Sequence, residues 1–185
     1  RLESNTYPNG LQLYDINGAE SQPIIITGPE PPNSPAVFLG NSSRNTISIV
    51  RSSNVVIRNL KLDGRSIPNV DAVKAEGSSG NWAHHITLEN LHIVGHGGNQ
   101  QTVGISTKCP AWDWVIRNNT IEAAGTGLYL GNSDGTAPFI NGLIEYNLVT
   151  DTIGYNMQIK HQNPGLRTLS GMTLLAVEEG QGPLA

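Results

Sequence analysis

The sequence predicts an all-β solenoid in which short parallel strands stack coil upon coil. Three observations predict it. Four segments recur at steps of 31, 28 and 28 residues, counted from Asn59 through Asn90 and Asn118 to Tyr146. Each segment holds two short period-2 stretches that meet at a polar corner, the pattern of strand, bend, strand. The composition also opposes helices: 19 Asn and 21 Gly make up 40 of the 185 residues, and both types prefer turns and left-handed backbone. The same composition limits function. With no run of 18 apolar residues there is no membrane span. One cysteine excludes an internal disulfide framework and a Cys-based zinc knuckle. A net charge of −4 with only 11 Lys and Arg argues against a nucleic-acid partner.

Taken in order, Arg1 to Tyr7 followed by Pro8-Asn9-Gly10 reads as the middle of a first coil. Pro23-Ile24-Ile25-Ile26-Thr27-Gly28 is the next strand, and Pro29 to Pro35, with four Pro in seven residues, is a loop. The repeats then follow as Val55–Leu62, Ile86–Ile93, Trp114–Ile121 and Gly142–Val149. After each comes a second strand: Asp71–Ala75, Val103–Thr107, Thr126–Leu130 and Tyr155–Ile159. One such repeat cannot bury its apolar faces alone, whereas stacked coils bury them and satisfy the backbone by parallel pairing. A leucine-rich repeat is a poorer fit, because Asn119 and Asn147 stand where its second Leu belongs. Periodicity stops at His161. Residues 164–185, with the short apolar run Met172 to Val177, are expected to form a non-repeating cap or tail behind a solenoid domain of residues 1–163.

The I-x-N-N-x-I corner (Ile116 to Ile121), the coil of nearly 30 residues and the strand-initial Gly104 and Gly127 carry a resemblance. Over roughly residues 7–161 the chain resembles the right-handed, single-stranded parallel β-helix of the pectin-lyase-like superfamily, with about five or six coils. In that family a capping helix and a first strand precede the coils. Their absence here implies an N-terminally incomplete solenoid, whose uncapped ends are expected to self-associate.

Columns of equivalent residues predict which side chains stack. Val55/Ile86/Trp114/Gly142, Ile57/Leu88/Ile116/Ile144 and Leu62/Ile93/Ile121/Val149 read as inward, with eleven of the twelve apolar. Asn119 and Asn147 turn inward at the bend as an amide ladder. Arg58, Glu89, Arg117 and Glu145 alternate in sign at the corner, as a ladder of opposite charges about 4.8 Å apart would. The outward column Val56, Thr87, Val115, Leu143 is unusually apolar, which predicts a cover from a loop, a partner chain or a missing segment.

Chemistry is expected on the outward face of the second strands. Its columns are Asp71/Val103/Thr126/Tyr155, Lys74/Ser106/Tyr129/Gln158 and Glu76/Lys108/Gly131/Lys160. This polar face of both signs suits a sugar-binding groove. The resemblance implies a secreted or periplasmic protein that acts on or binds an acidic polysaccharide, in the manner of a polysaccharide lyase. A lyase needs a base to remove the proton α to a carboxylate, and cations to hold the charge that develops. Lys160, His161 and Lys74 are the candidate catalytic residues. Asp71, Glu76, Tyr129, Lys108, Gln158 and Trp112 are the candidate substrate contacts, with Trp112 as an exposed stacking platform. No dedicated metal site is expected; calcium is the one cofactor left open, with Asp71 or Glu76 as ligands.

Two other function classes stay in view. One is a non-catalytic glycan-binding or scaffolding β-helix. The other is a polygalacturonase-like hydrolase, since Asn69-Val70-Asp71, Gly95-His96-Gly97 and Gln158-Ile159-Lys160 resemble three of its four motifs. The fourth, a pair of adjacent aspartates, is missing, and inversion at a sugar needs two flanking carboxyl groups. Gly95 to Gly98 reads as a flexible loop carrying His96, His84-His85 and His92 as structural or solvated, and Cys109 as a small buried residue.

Overall fold

The computed structural model describes residues 1–77, 80 and 82–163. In chain order its strands are β1 (Thr6–Tyr7), β2 (Leu11–Tyr14), β3 (Ile24–Thr27), β4 (Ala36–Leu39), β5 (Ile47–Val50), β6 (Ser53–Asp63), β7 (Val73–Glu76), β8 (Ala83–Val94) and β9 (Val103–Thr107). They continue as β10 (Ala111–Trp112), β11 (Val115–Arg117), β12 (Thr120–Glu122), β13 (Thr126–Leu130), β14 (Phe139–Ile140), β15 (Leu143–Glu145), β16 (Leu148–Thr150) and β17 (Met157–Ile159). The described residues contain no helix, and so none long and apolar enough to cross a membrane. The predicted cap or tail, residues 164–185, lies outside the described residues.

Every pairing between these strands is parallel. One sheet runs β2-β5-β7-β9-β13-β17. Six strands laid one on the next make about five full turns of a β-solenoid. The other eleven strands form a sheet that bends around the corner of each coil. In β6 and β8 the strand runs straight through that corner, whereas in the later coils it divides into β11/β12 and β15/β16. The corner residue itself is left-handed in each of the four repeats: φ is 57° at Asn59, 52° at Asn90, 54° at Asn118 and 53° at Tyr146. Asn tolerates this region better than most residues, which is why it recurs there.

The observed register reproduces the repeat. Arg58 lies beside Glu89, Glu89 beside Arg117 and Arg117 beside Glu145, the same 31, 28 and 28 residue steps. Glu89 is the buried centre of this column, with Arg58 at 3.3 Å on one side and Arg117 at 2.8 Å on the other. Ion pairing from both flanks is what allows a carboxylate to sit there. One coil earlier, β3 pairs with β6 at a step of 31 (Ile24 with Val55), but β4 pairs at a step of 24 (Ala36 with Leu60). The difference is the proline loop, which opens the corner of that coil.

Ile57, Leu88 and Ile116 are fully buried, as are Val55, Ile86 and Trp114, and Leu62, Ile93 and Ile121. Each such side chain contributes roughly 1.5–3 kcal/mol by leaving water. The last coil breaks the pattern, because nothing described covers it. Leu143, Leu148, Met157 and Ile159 are each about half exposed, and Ile144 and Val149 are only half-buried. At Gly142 the missing side chain is replaced by the Phe139 ring, which occupies the space a Cβ would need.

The amide ladder forms as predicted. Asn119 Nδ2 donates to the Leu88 carbonyl (3.0 Å) and to Asn147 Oδ1 (2.9 Å), and its Oδ1 accepts the Leu91 N–H (3.0 Å). Asn147 Nδ2 in turn donates to the Ile116 carbonyl at 2.8 Å. The predicted cover over Val56, Thr87, Val115 and Leu143 is not seen among the described residues. That column stays half-buried and ends at an exposed Leu143. The proline loop lies elsewhere, walling a groove of about 520 Å³ against Asn59, Lys61, Asn90 and His92.

Candidate functional site

The outward face of the six-stranded sheet gathers most of the predicted residues into one groove. Because strands alternate sides, Lys74 on β7, Ser106 on β9, Tyr129 on β13 and Gln158 on β17 form one column. Two residues further on, Glu76, Lys108, Gly131 and Lys160 form the next. The groove measures about 270 Å³, and its walls include Asp71, Lys74, Lys108, Tyr129, Tyr155 and Gln158. Asn69, Gln100 and Gln101 complete it from the loops that enter β7 and β9.

Its centre is Tyr129. Lys108 Nζ sits 3.5 Å from the ring centroid and Lys160 Nζ 5.0 Å, one ammonium from each neighbouring coil. Both can reach because the residue between them in their column is Gly131, which carries no side chain. A Cβ there would stand 3.2 Å from Lys160 Cβ, and its φ of 100° also favours glycine. Partial burial pushes the Tyr129 phenol up, but a 2.7 Å hydrogen bond with Ser133 and the two ammonium groups together hold it below its ordinary value. Burial lowers Lys108, against Tyr129 and Asp71, which favour its charged form.

Asp71 is the buried carboxylate of the groove. Its oxygens accept the Val103 N–H (2.8 Å) and the Ser106 hydroxyl (3.0 Å). The first of these replaces a backbone rung, which is why β7 begins at Val73 rather than at the predicted Asp71. Burial raises its pKa despite these bonds and the nearby Lys74 and Lys108. Glu76 stands at the rim, paired with Lys74 at 3.1 Å. These two carboxylates do not suit calcium, because Asp71 has both oxygens engaged with Lys74 and Lys108 nearby, and Glu76 is held by the Lys74 ammonium. Among the described residues no group of three or more His, Cys, Asp and Glu side chains is placed to hold a metal ion.

Two expectations change. Trp112 is not an exposed platform: it is 1% exposed, lies on the other sheet and stacks on His84, with ring centroids 4.4 Å apart. Short β10 pairs with the start of β8, and this turns the indole against its neighbour in register. His161 does not line the groove; its ring lies against Gly135 in the turn after β13, near Asp134. His96 lies on the expected loop after β8, but its side chain is fully buried, with Nδ1 2.8 Å from the Val70 carbonyl. It anchors the loop that brings Asn69 and Asp71 to the groove. Cys109 is buried as expected, and burial pushes its thiol up to about 12, so it stays protonated.

His96 predicts acid sensitivity. Burial lowers its pKa below the ordinary 6.5, outweighing the Val70 carbonyl and Asp63, which both favour the charged form. The unfolded chain therefore binds a proton more readily, so the stability His96 contributes is present above about pH 6.5 and is lost as pH falls towards its folded value. Urea midpoints measured from pH 7.5 down to pH 5 should decline, and a His96→Gln variant should decline less. Parallel curves for the two proteins would refute the assignment.

Compared with known proteins, the chain matches no family model, no curated protein and no solved structure.

Proposed function

We propose that the groove binds a uronic-acid polysaccharide and cleaves it by β-elimination. The observation that carries this reading is the convergence of Lys108 and Lys160 on Tyr129, with Lys74 beside them. A uronate carboxylate brought to this cluster meets two or three cations. A phenol with a lowered pKa is next to it.

The chemistry balances on these groups. Tyr129 oxygen, as phenolate, takes the proton from the carbon α to the carboxylate. The electron pair moves into the carboxylate, where the lysine ammonium groups stabilise the added charge. The bond from the adjacent carbon to the glycosidic oxygen then breaks, a carbon–carbon double bond forms, and the leaving oxygen takes a proton from a lysine or water. Gln158, Gln100 and Asn69 supply amides for sugar hydroxyls. Hydrolysis is less well supported. Asp71 is the one carboxylate among the groove-lining residues, and inversion at a sugar needs two.

The likeness of the coils to the pectin-lyase-like superfamily supports the same class of substrate, and with it a right-handed coil and a secreted or periplasmic location. A second reading, binding without turnover, is favoured by Tyr155, which is 52% exposed in the groove wall and offers a face for a sugar ring. Self-association through the exposed apolar residues of the last coil belongs to the same proposal.

The test is to incubate the chain with a panel of uronic-acid polymers, with and without calcium, and to follow the ultraviolet absorbance of the unsaturated product. A rise supports elimination. A flat trace together with saturable binding would replace it with the binding reading, and neither signal would reject the groove as a polysaccharide site.

A further inference from the structure

A second cluster lies on the other sheet, away from the groove. His84 and His85 are consecutive in β8, and in a regular strand their rings would point to opposite faces. Here His85 is left-handed, with φ of 52°. Asn54 (54°), Asp113 (56°) and Asn141 (52°) are left-handed at the equivalent point of the neighbouring coils. The reversal cancels the alternation and brings both imidazoles to one side, with His84 Nδ1 2.8 Å from His85 Nδ1. The stack then adds two supports. Trp112, the register partner of His84, lies flat against it at 7° between ring planes. Asp113, one coil along from His85, places Oδ2 3.4 Å from His85 Nε2.

We propose that His84 and His85 form a two-imidazole chelate for a tetragonal divalent transition-metal ion, Cu2+ above all, with Asp113 orienting His85 from behind. The spacing selects the geometry. Two nitrogens each about 2.0 Å from a metal lie about 2.8 Å apart in a square-planar cis arrangement, and about 3.3 Å apart in a tetrahedral one. The observed 2.8 Å, a hydrogen bond between the two rings, brings both nitrogens within reach of one ion and lies nearer the square-planar bite. Binding asks for a rotation of the rings, so that the two lone pairs meet at the ion instead of sharing one proton. A carboxylate on the far nitrogen of a ligating histidine is the usual outer support of such a site. Two protein donors leave the remaining positions to water, which makes this an exchangeable site.

Trp112 is a built-in reporter, because a paramagnetic ion bound to the ring it stacks on will quench it. Titration of the whole chain with Cu2+ alone should quench tryptophan fluorescence saturably at one equivalent and raise the melting temperature. His84→Gln and His85→Gln should each lose the saturable phase. Asp113→Asn should weaken it by about tenfold, and His92→Gln should leave it unchanged. Zn2+ should bind more weakly than Cu2+. Independently of any folding defect in a histidine variant, the electron paramagnetic resonance spectrum of the native chain with one equivalent of Cu2+ decides. A tetragonal signal split by two imidazole nitrogens supports the chelate. A signal without that splitting, quenching that persists in both histidine variants, or tighter binding of Zn2+ would overturn it.

Discussion

Replacing Tyr129 by Phe is expected to lower kcat for polymer cleavage by about 10²–10⁴-fold while leaving KM within a fewfold of the native value. The substitution keeps the ring on which Lys108 and Lys160 sit, so the cationic pocket that receives the carboxylate survives. It removes the oxygen proposed to take the proton. Because a base acts in its deprotonated form, native activity should rise with pH through the phenol's lowered pKa, below its ordinary 10.0. That ascending limb should vanish from the residual activity of the variant. Lys108→Met should do the opposite of abolishing it: with one ammonium gone, the phenol loses part of what lowers it, and the limb moves to higher pH. Steady-state kinetics across a pH series measures all three. A Tyr129→Phe enzyme with native kcat and an unchanged profile would exclude the phenol as the base.

The largest loss of stability from a single polar residue is expected at Asn119. Asn119→Leu keeps the branched shape, and the same inward column already holds Leu60 and Leu91 in earlier coils. What it loses is pairing. The buried Leu91 N–H loses its acceptor, the Leu88 carbonyl loses a donor, and Asn147 Oδ1 loses one of two donors. A buried donor left without a partner costs about 1–3 kcal/mol, so the variant should be destabilised by roughly 2–4 kcal/mol. Its neighbour provides the control. Asn118 is exposed and left-handed, so Asn118→Gly should change stability by only a few tenths of a kcal/mol. Urea denaturation separates the two, and equal midpoints for Asn119→Leu and the native chain would show that the ladder carries no stability.

How much of the site can be read from the sequence depends on the distance over which its residues are placed. Lys74, Tyr129 and Gln158 fall in one column because a 28 to 31 residue repeat combined with period-2 alternation fixes both level and side. The same reasoning places Lys108 and Lys160 on either side of Gly131. It does not show that both ammonium groups fold back over one ring, because that depends on side-chain direction across three coils. Asn69, Gln100 and Gln101 escape because they come from loops with no period. The N-V-D segment does mark where its loop enters β7, and the G-H-G segment where the chain leaves β8, but neither shows that His96 turns inward.

The side-by-side placement of His84 and His85 escapes the sequence for another reason. Simple alternation assigns a side to each residue of a strand, and one left-handed residue reverses every assignment after it. Nothing in the type His85 signals that reversal, since Asn and Asp hold the position in the other coils and His is only a moderate third choice. The burial of Trp112 follows from the same corner, where β10 is short and is pressed against β8.

Local alternation, the repeat length and the Asn-rich corners are thus sufficient for the solenoid, its inward columns, the charge ladder and the amide ladder. Each of these needs only a residue's position within its own coil. The groove's electrostatics, the anchoring role of His96 and the facing imidazoles of His84 and His85 are decided by contacts between coils. Those contacts join residues about thirty positions apart, whose side-chain directions are set by packing and by single reversals of the backbone.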